Sequence, residues 1–175
     1  MTSRADETRA RLASVRERLR RHADDGPPPG LTQPDPGGSE RWEAGQVWAH
    51  LAEFPAYWMG QVRHIVGRVA TGDPQPIPFG RTKADPGRIA AIERDRNLDP
   101  HALLARVTKD LAEAMAELQR MSEADWRLLG LHPTRGPMAI EEIVQRFLVD
   151  HLEEHADQLD ELRQAAESAA TDADA

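Results

Sequence analysis

The chain has 175 residues, no cysteine, and 22 lysine and arginine against 30 aspartate and glutamate, for a formal net charge of −8. The lack of cysteine excludes disulfides, thiolate metal sites and a cysteine nucleophile, and the acidic balance argues against a broad nucleic-acid or anionic-membrane surface, which needs clustered cations. No run approaches the ~20 apolar residues of a membrane span, and the N-terminal MTSRADETRARLASVRERLRR has no apolar h-region, so the expected address is the cytoplasm.

A first helix is expected from about Ser3 to His22: Ser3 and Asp6 suit a capping arrangement, and Leu12, Val15 and Leu19 form an apolar stripe. The stretch DDGPPPGLTQPDPGG then breaks regular structure and reads as a linker. A second helix is expected from about Trp42 to Ala70, where Val47, His50 or Leu51, Phe54, Trp58, Val62 and Ile65 recur at three- and four-residue steps. Pro55 should kink it or loosen one turn. The irregular crossover TGDPQPIPFGRTKADPG follows, with a short helical piece near Arg88 to Asp95.

A third helix opens at Asp99, a suitable N-cap with Pro100 at the first helical position, and its stripe is Leu104, Val107, Leu111, Met115 and Leu118. MSEADWRLLG reads as a helical turn and HPTRG as a loop. The fourth helix is expected from about Pro137 to Gln164. No strand-period alternation is visible. The expected fold class is therefore all-α, a four-helix bundle with a long crossover, forming one domain over residues 1–165 with a disordered tail over 166–175.

The histidines carry the functional signal. In the last helix, Val144, Leu148, His151, His155, Leu159 and Leu162 share one seam, so His151 and His155 replace apolar residues there. An i,i+4 pair lies on one helix face, roughly 6 Å apart at the backbone, within reach of one ion. His50 also sits on a seam, between Val47 and Phe54. Three imidazoles from two stretches would make a three-histidine site with a position left for water or substrate. His64, about four turns beyond His50, is roughly 20 Å away along the axis and too far to share that ion. His101 and His22 are expected to be solvated.

With these residues laid out, the chain resembles the DinB-like superfamily, which includes mycothiol-dependent maleylpyruvate isomerases and related bacterial thiol transferases. RWEAGQVWAHLAEF and GPMAIEEIVQRFLVDHLEEHADQLDELR carry the likeness, with HALLARVTKDLAEAMAELQRMSEADW as a further match, together spanning about residues 40 to 163. The resemblance implies an up-down-down-up four-helix bundle, a divalent metal held by His50, His151 and His155, and homodimers. One departure is Glu43, where the family often has a Ser or Thr cap after the tryptophan; a cap at Ser39 is expected instead. Residues 70–95 match nothing in the family.

Three neutral imidazoles with open positions suit zinc best, with nickel, iron or manganese as other candidates. Any sulfur nucleophile must arrive as a small molecule, and in the family that part is played by mycothiol. The scarcity of lysine against abundant arginine and alanine reads as a GC-rich bacterial codon bias, compatible with such a thiol. The expected function is a metal-dependent enzyme activating mycothiol or another small thiol for S-transfer to an electrophile or for isomerisation. The alternatives are a hydrolase using metal-bound hydroxide and a non-catalytic metal-binding stress protein. Glu53, Glu154 and Asp110 are candidate catalytic or supporting acids, although each also reads as an ordinary solvated helix-face acid. His132 and Arg135 are candidates for binding cofactor or an anionic substrate. Phe54, Trp58 and Trp126 read as core, and Glu154 with Gln158 as an i,i+4 pair.

Overall fold

The computed structural model describes residues 4–34 and 39–173; the expected Ser3 cap, residues 35–38 of the linker and the last two residues lie outside them. Helix α1, Arg4–Asp25, buries the Leu12, Val15 and Leu19 stripe as the periodicity predicts. It continues past His22, so that side chain is within the helix and not at a solvated end. His22 is buried, with Nε2 2.8 Å from Asp160. Arg18 reaches Asp157 at 2.6 Å, and Arg11 reaches Asp150 at 2.9 Å. These bonds clasp α1 to the last helix.

Helix α2, Ala44–Ala70, runs through Pro55 without a break. Pro55 is buried among apolar neighbours, and packing on both sides offsets the one missing backbone bond. Its N-cap is Glu43 and not Ser39: the Glu43 backbone N–H donates to Gln46 Oε1 at 3.1 Å, which satisfies a helix-start donor without a Ser or Thr. Helix α3, Pro86–Asp95, and helix α4, Pro100–Leu118, are each opened by an aspartate cap, Asp85 and Asp99. The buried seam of α4 is Leu103, Val107, Leu111, Ala114 and Leu118, with Leu104 and Met115 half-buried beside it. The seam is wider than the expected stripe because α4 packs on both α1 and α2.

After the short helix α5, Glu123–Trp126, which buries Trp126, the chain forms strands that the alternation rule missed. Strands β2, Leu129–His132, and β3, Gly136–Ala139, make an antiparallel hairpin, and β1, Ile77–Pro78, in the crossover pairs parallel with β2. HPTRG is thus mostly a hairpin turn, with Gly136 at φ 79°. These strands are too short for two-residue alternation to stand out. The last helix begins as α6, Ile140–Val144, passes through a π-helical turn at Gln145–Asp150, and continues as α7, His151–Ala173. Residues 166–173, expected to be a disordered tail, extend α7.

Helices α1, α2, α4 and α7 form the bundle. Both α1 and α2 pack against α4 and α7, so α1 and α2 lie across the bundle from one another. This diagonal arrangement brings the N-terminal half of α2 against the start of α7. The crossover and the hairpin, joined by their small sheet, cover that same junction.

Candidate metal centre

His50 comes from the buried face of α2, whose neighbours Val47, Leu51 and Phe54 fix its direction. His151 and His155 occupy the first turns of α7, immediately after the π-helical turn. A wide turn re-phases the face that follows it and is common at functional sites. The three rings converge through the same atom: His151 Nε2 is 2.9 Å from His50 Nε2 and 2.9 Å from His155 Nε2. His50 is 2% exposed and His155 6%, whereas the His151 side chain retains 20%.

The outward nitrogens show why this cluster suits a cation. His50 Nδ1 donates to Glu53 Oε1 at 2.8 Å, and His155 Nδ1 donates to Gln158 Oε1 at 2.7 Å. Each ring then carries its proton on Nδ1 and turns an Nε2 lone pair inward. Two lone pairs facing a third ring over 2.9 Å cannot both be satisfied well by the single proton His151 could offer, whereas one divalent ion satisfies all three. Ligands about 2.0–2.1 Å from a tetrahedral zinc are roughly 3.3 Å apart, so the rings need to open by only a few tenths of an ångström. Burial, and then the neighbouring imidazoles, hold His50 and His151 well below the ordinary histidine pKa. Both are therefore neutral at pH 7, as metal ligation requires. The cluster could hold a metal ion.

Glu53 acts as an orienter of His50. Its carboxylate also takes Arg81 at 2.6 Å, and both side chains are nearly buried. Burial raises the Glu53 pKa, with the Arg81 bond opposing. Arg81 in turn lies 3.8 Å from the Tyr57 ring centroid. Glu154 is exposed and paired with Arg146 at 2.8 Å, and its nearest approach to His151 Nδ1 is 3.9 Å. It does not pair with Gln158, which is taken by His155. Asp110 lies on α4 beside Lys109 at 3.7 Å, away from the cavity that adjoins the histidines.

That cavity, of about 670 Å³, is lined by the three histidines and by both other predicted residues, His132 and Arg135. His132 holds the hairpin to the crossover. Its Nδ1 accepts from the Thr134 N–H at 3.3 Å, and its ring meets Phe79 of the crossover edge-on at 5.5 Å. Burial, and then Arg135, lowers its pKa. Gly80, at φ 84°, is required beside it, because a Cβ there would sit 2.6 Å from the His132 ring. Phe54 and Trp58 are buried as expected, yet they also line the cavity.

Sequence reasoning missed Arg81, Arg88 and the orienting role of Gln158. Arg88 is buried with its guanidinium 5.1 Å from the Trp42 ring, and Trp42 stacks on His155 at 5.7 Å. Gln158 was legible, being three residues after His155. The two arginines lie in the unmatched segment and become neighbours of the histidines only through the fold.

The sequence profile of the DinB superfamily matches residues 11–159. Among solved structures, YfiT from Bacillus subtilis, a probable metal-dependent hydrolase with an unusual four-helix bundle topology, aligns with a TM-score of 0.66 at 20% identity, over 94% of this chain and 90% of its own. A mycothiol-dependent maleylpyruvate isomerase aligns at 0.61 and 18% identity over 87% of this chain, which spans 57% of that protein. The colibactin self-resistance protein ClbS, in complex with a dsDNA, aligns at 0.59 and 17% identity over 91% of this chain and 95% of its own. At these identities the likeness is one of fold. No curated protein matches the chain. No helix among the described residues is long and apolar enough to cross a membrane.

Proposed function

We propose, from the premise that this chain belongs to the DinB superfamily, that it is a cytoplasmic divalent-metal enzyme whose ion is held by Nε2 of His50, His151 and His155. Zinc suits this donor set best, with nickel, iron or manganese as substitutes. The reaction is activation of a low-molecular-weight thiol such as mycothiol for S-transfer to an electrophile, or for isomerisation. The observation that carries the reading is the inward convergence of three Nε2 atoms, with Nδ1 of two rings anchored by Glu53 and Gln158.

An ion there supplies the positive charge that favours thiolate or hydroxide near neutral pH. The chain's own residues do the remainder. Glu53 and Gln158 fix two ring orientations, Arg81 holds Glu53, and the aromatic wall of Phe54 and Trp58 limits water near the histidines. His132 and Arg135 serve the opposite side of the cavity, His132 by packing on Phe79 of the crossover and Arg135 by receiving substrate. Glu154 and Asp110 are not assigned a catalytic part. A homodimer is part of the proposal through the family resemblance. The absence of a nucleic-acid partner rests on the net charge alone and is not part of it, since one fold relative is in complex with a dsDNA.

The second reading is a hydrolase in which the ion activates water; the likeness to YfiT over nearly the full length of both chains favours it. Metal analysis of the purified protein, followed by thiol titration of the cobalt-substituted form, separates the two. A sulfur-to-cobalt charge-transfer band and thiol-dependent turnover of an electrophile are expected. Turnover of an ester or amide without thiol would favour hydrolysis, and a protein that takes up no divalent ion would end both readings.

A further inference from the structure

The cavity wall is a run of rings in contact that ends on a cation. Arg135, in the turn between β2 and β3, holds its guanidinium 5.7 Å from the Phe147 centroid. Phe147 lies parallel to Trp58 at 3.9 Å, Trp58 meets Phe54 at 5.6 Å, and Phe54 stacks on His151 at 3.6 Å. All five side chains line the same cavity, so the wall is continuous from the hairpin to one of the three converging histidines.

The cavity is also cationic in a chain whose net charge is −8. Arginines 81, 88, 135 and 146 and Lys83 line it, against the single carboxylate of Glu154. Arg81 is answered by Glu53, Arg146 by Glu154, and Arg88 by Glu40 at 3.5 Å. Arg135 has no carboxylate partner among the described residues and rests only against a ring. A guanidinium fork complements a carboxylate in a planar, two-point contact. A ring wall favours a flat aromatic body through edge-to-face or offset contacts that an aliphatic body lacks.

We propose that the cavity binds an aromatic acid, with its carboxylate on Arg135 and its ring against Phe147 and Trp58, so that its other end points toward the histidines. This deepens the metal-enzyme reading and rests on it for the chemistry, although the binding itself needs no ion.

The test is a calorimetric titration of 2-naphthoate into the full-length protein, both metal-free and zinc-loaded, with 2-naphthamide and cyclohexanecarboxylate as controls. Naphthoate is expected to bind at least about tenfold tighter than either control in both forms. Arg135→Gln, on an exposed turn where folding is not at stake, should bring naphthoate down to the affinity of the amide and leave the amide unchanged. Phe147→Leu should weaken naphthoate and naphthamide alike and leave cyclohexanecarboxylate nearly unaffected. Equal binding of acid and amide, or an Arg135→Gln protein with full naphthoate affinity, overturns the proposal. A preference for the acid that exists only with zinc also overturns it, because the ion would then hold the carboxylate. A chain that takes up no zinc but keeps the Arg135-dependent preference upholds this inference and removes the metal reading instead.

Discussion

Replacing Glu53 with alanine separates the orienting of His50, a proposed metal ligand, from support of the fold. The carboxylate accepts the His50 Nδ1–H at 2.8 Å and Arg81 at 2.6 Å, and all three side chains are largely buried. A hydrogen bond to a charged group contributes about 1.5–3 kcal/mol. At about 1.4 kcal/mol per decade, its loss should weaken divalent-ion binding about 10- to 100-fold, the range met when such outer partners are removed. Stability falls for a different reason, because Arg81 is left buried without its main counter-charge. Breaking a buried pair from one side costs about 3–5 kcal/mol. The lower end applies here, since Asp85 remains 3.7 Å from Arg81 Nη1. Glu53→Ala with Arg81→Met removes both charges, and should recover most of the stability and none of the ion affinity. Urea unfolding of the metal-free chain reads the first quantity, and competition with a chromophoric chelator reads the second. A folded Glu53→Ala protein with wild-type ion affinity would refute the orienting role, as would a double variant that regains affinity.

Further outcomes follow from other contacts. Because burial holds His50 and His151 well below the ordinary histidine value, both are neutral at pH 7, and ion binding should release no proton from either ring; affinity declines only in more acidic solution, where protons begin to compete. Calorimetry in buffers of different ionisation enthalpy measures the count, and release of about two protons would contradict this. Asp95 is held below the usual carboxylate range, first by the hydrogen bond from Arg94 and also by one from Arg106. A depressed folded value adds stability that is present above the unfolded value of about 4 and lost as pH falls through the folded one. Asp95→Asn should therefore flatten the acid limb of the urea midpoint below about pH 4, and an unchanged limb would assign that loss to other acids. Gly45→Ala would place a Cβ 2.2 Å from the Arg96 carbonyl oxygen, where α2 meets the end of α3. Overpacking of this kind costs about 1–3 kcal/mol, and wild-type stability on urea unfolding would show that the helices separate freely there.

The bundle was legible because its helices are long, periodic and capped by residues whose roles are local. Asp99 with Pro100 marks a helix start in any context, and Leu12, Val15 and Leu19 share a face whatever they pack on. The strands were not legible: β1 has only two residues, and it is a strand only because β2, far along the chain, lies beside it. Misreading His22 as solvated had a similar cause, since its burial depends on α7 and on Asp160, not on its neighbours in sequence.

At the site, the spacing of His151 and His155 on a helix seam, with His50 on another, was enough to nominate three nitrogen donors, because helical geometry is set by local backbone bonding. Which carboxylate matters is a tertiary matter. Glu53, Glu154 and Asp110 are equivalent as helix-face acids in sequence, yet only Glu53 is brought between His50 and Arg81. The loop carrying Arg81 and the hairpin carrying Arg135 reach the cavity through the β1–β2 pairing and the packing of His132 on Phe79. Long-range packing alone brings such segments together, so the charge and shape of the pocket were decided there, while the seam positions of the three histidines were readable from the chain.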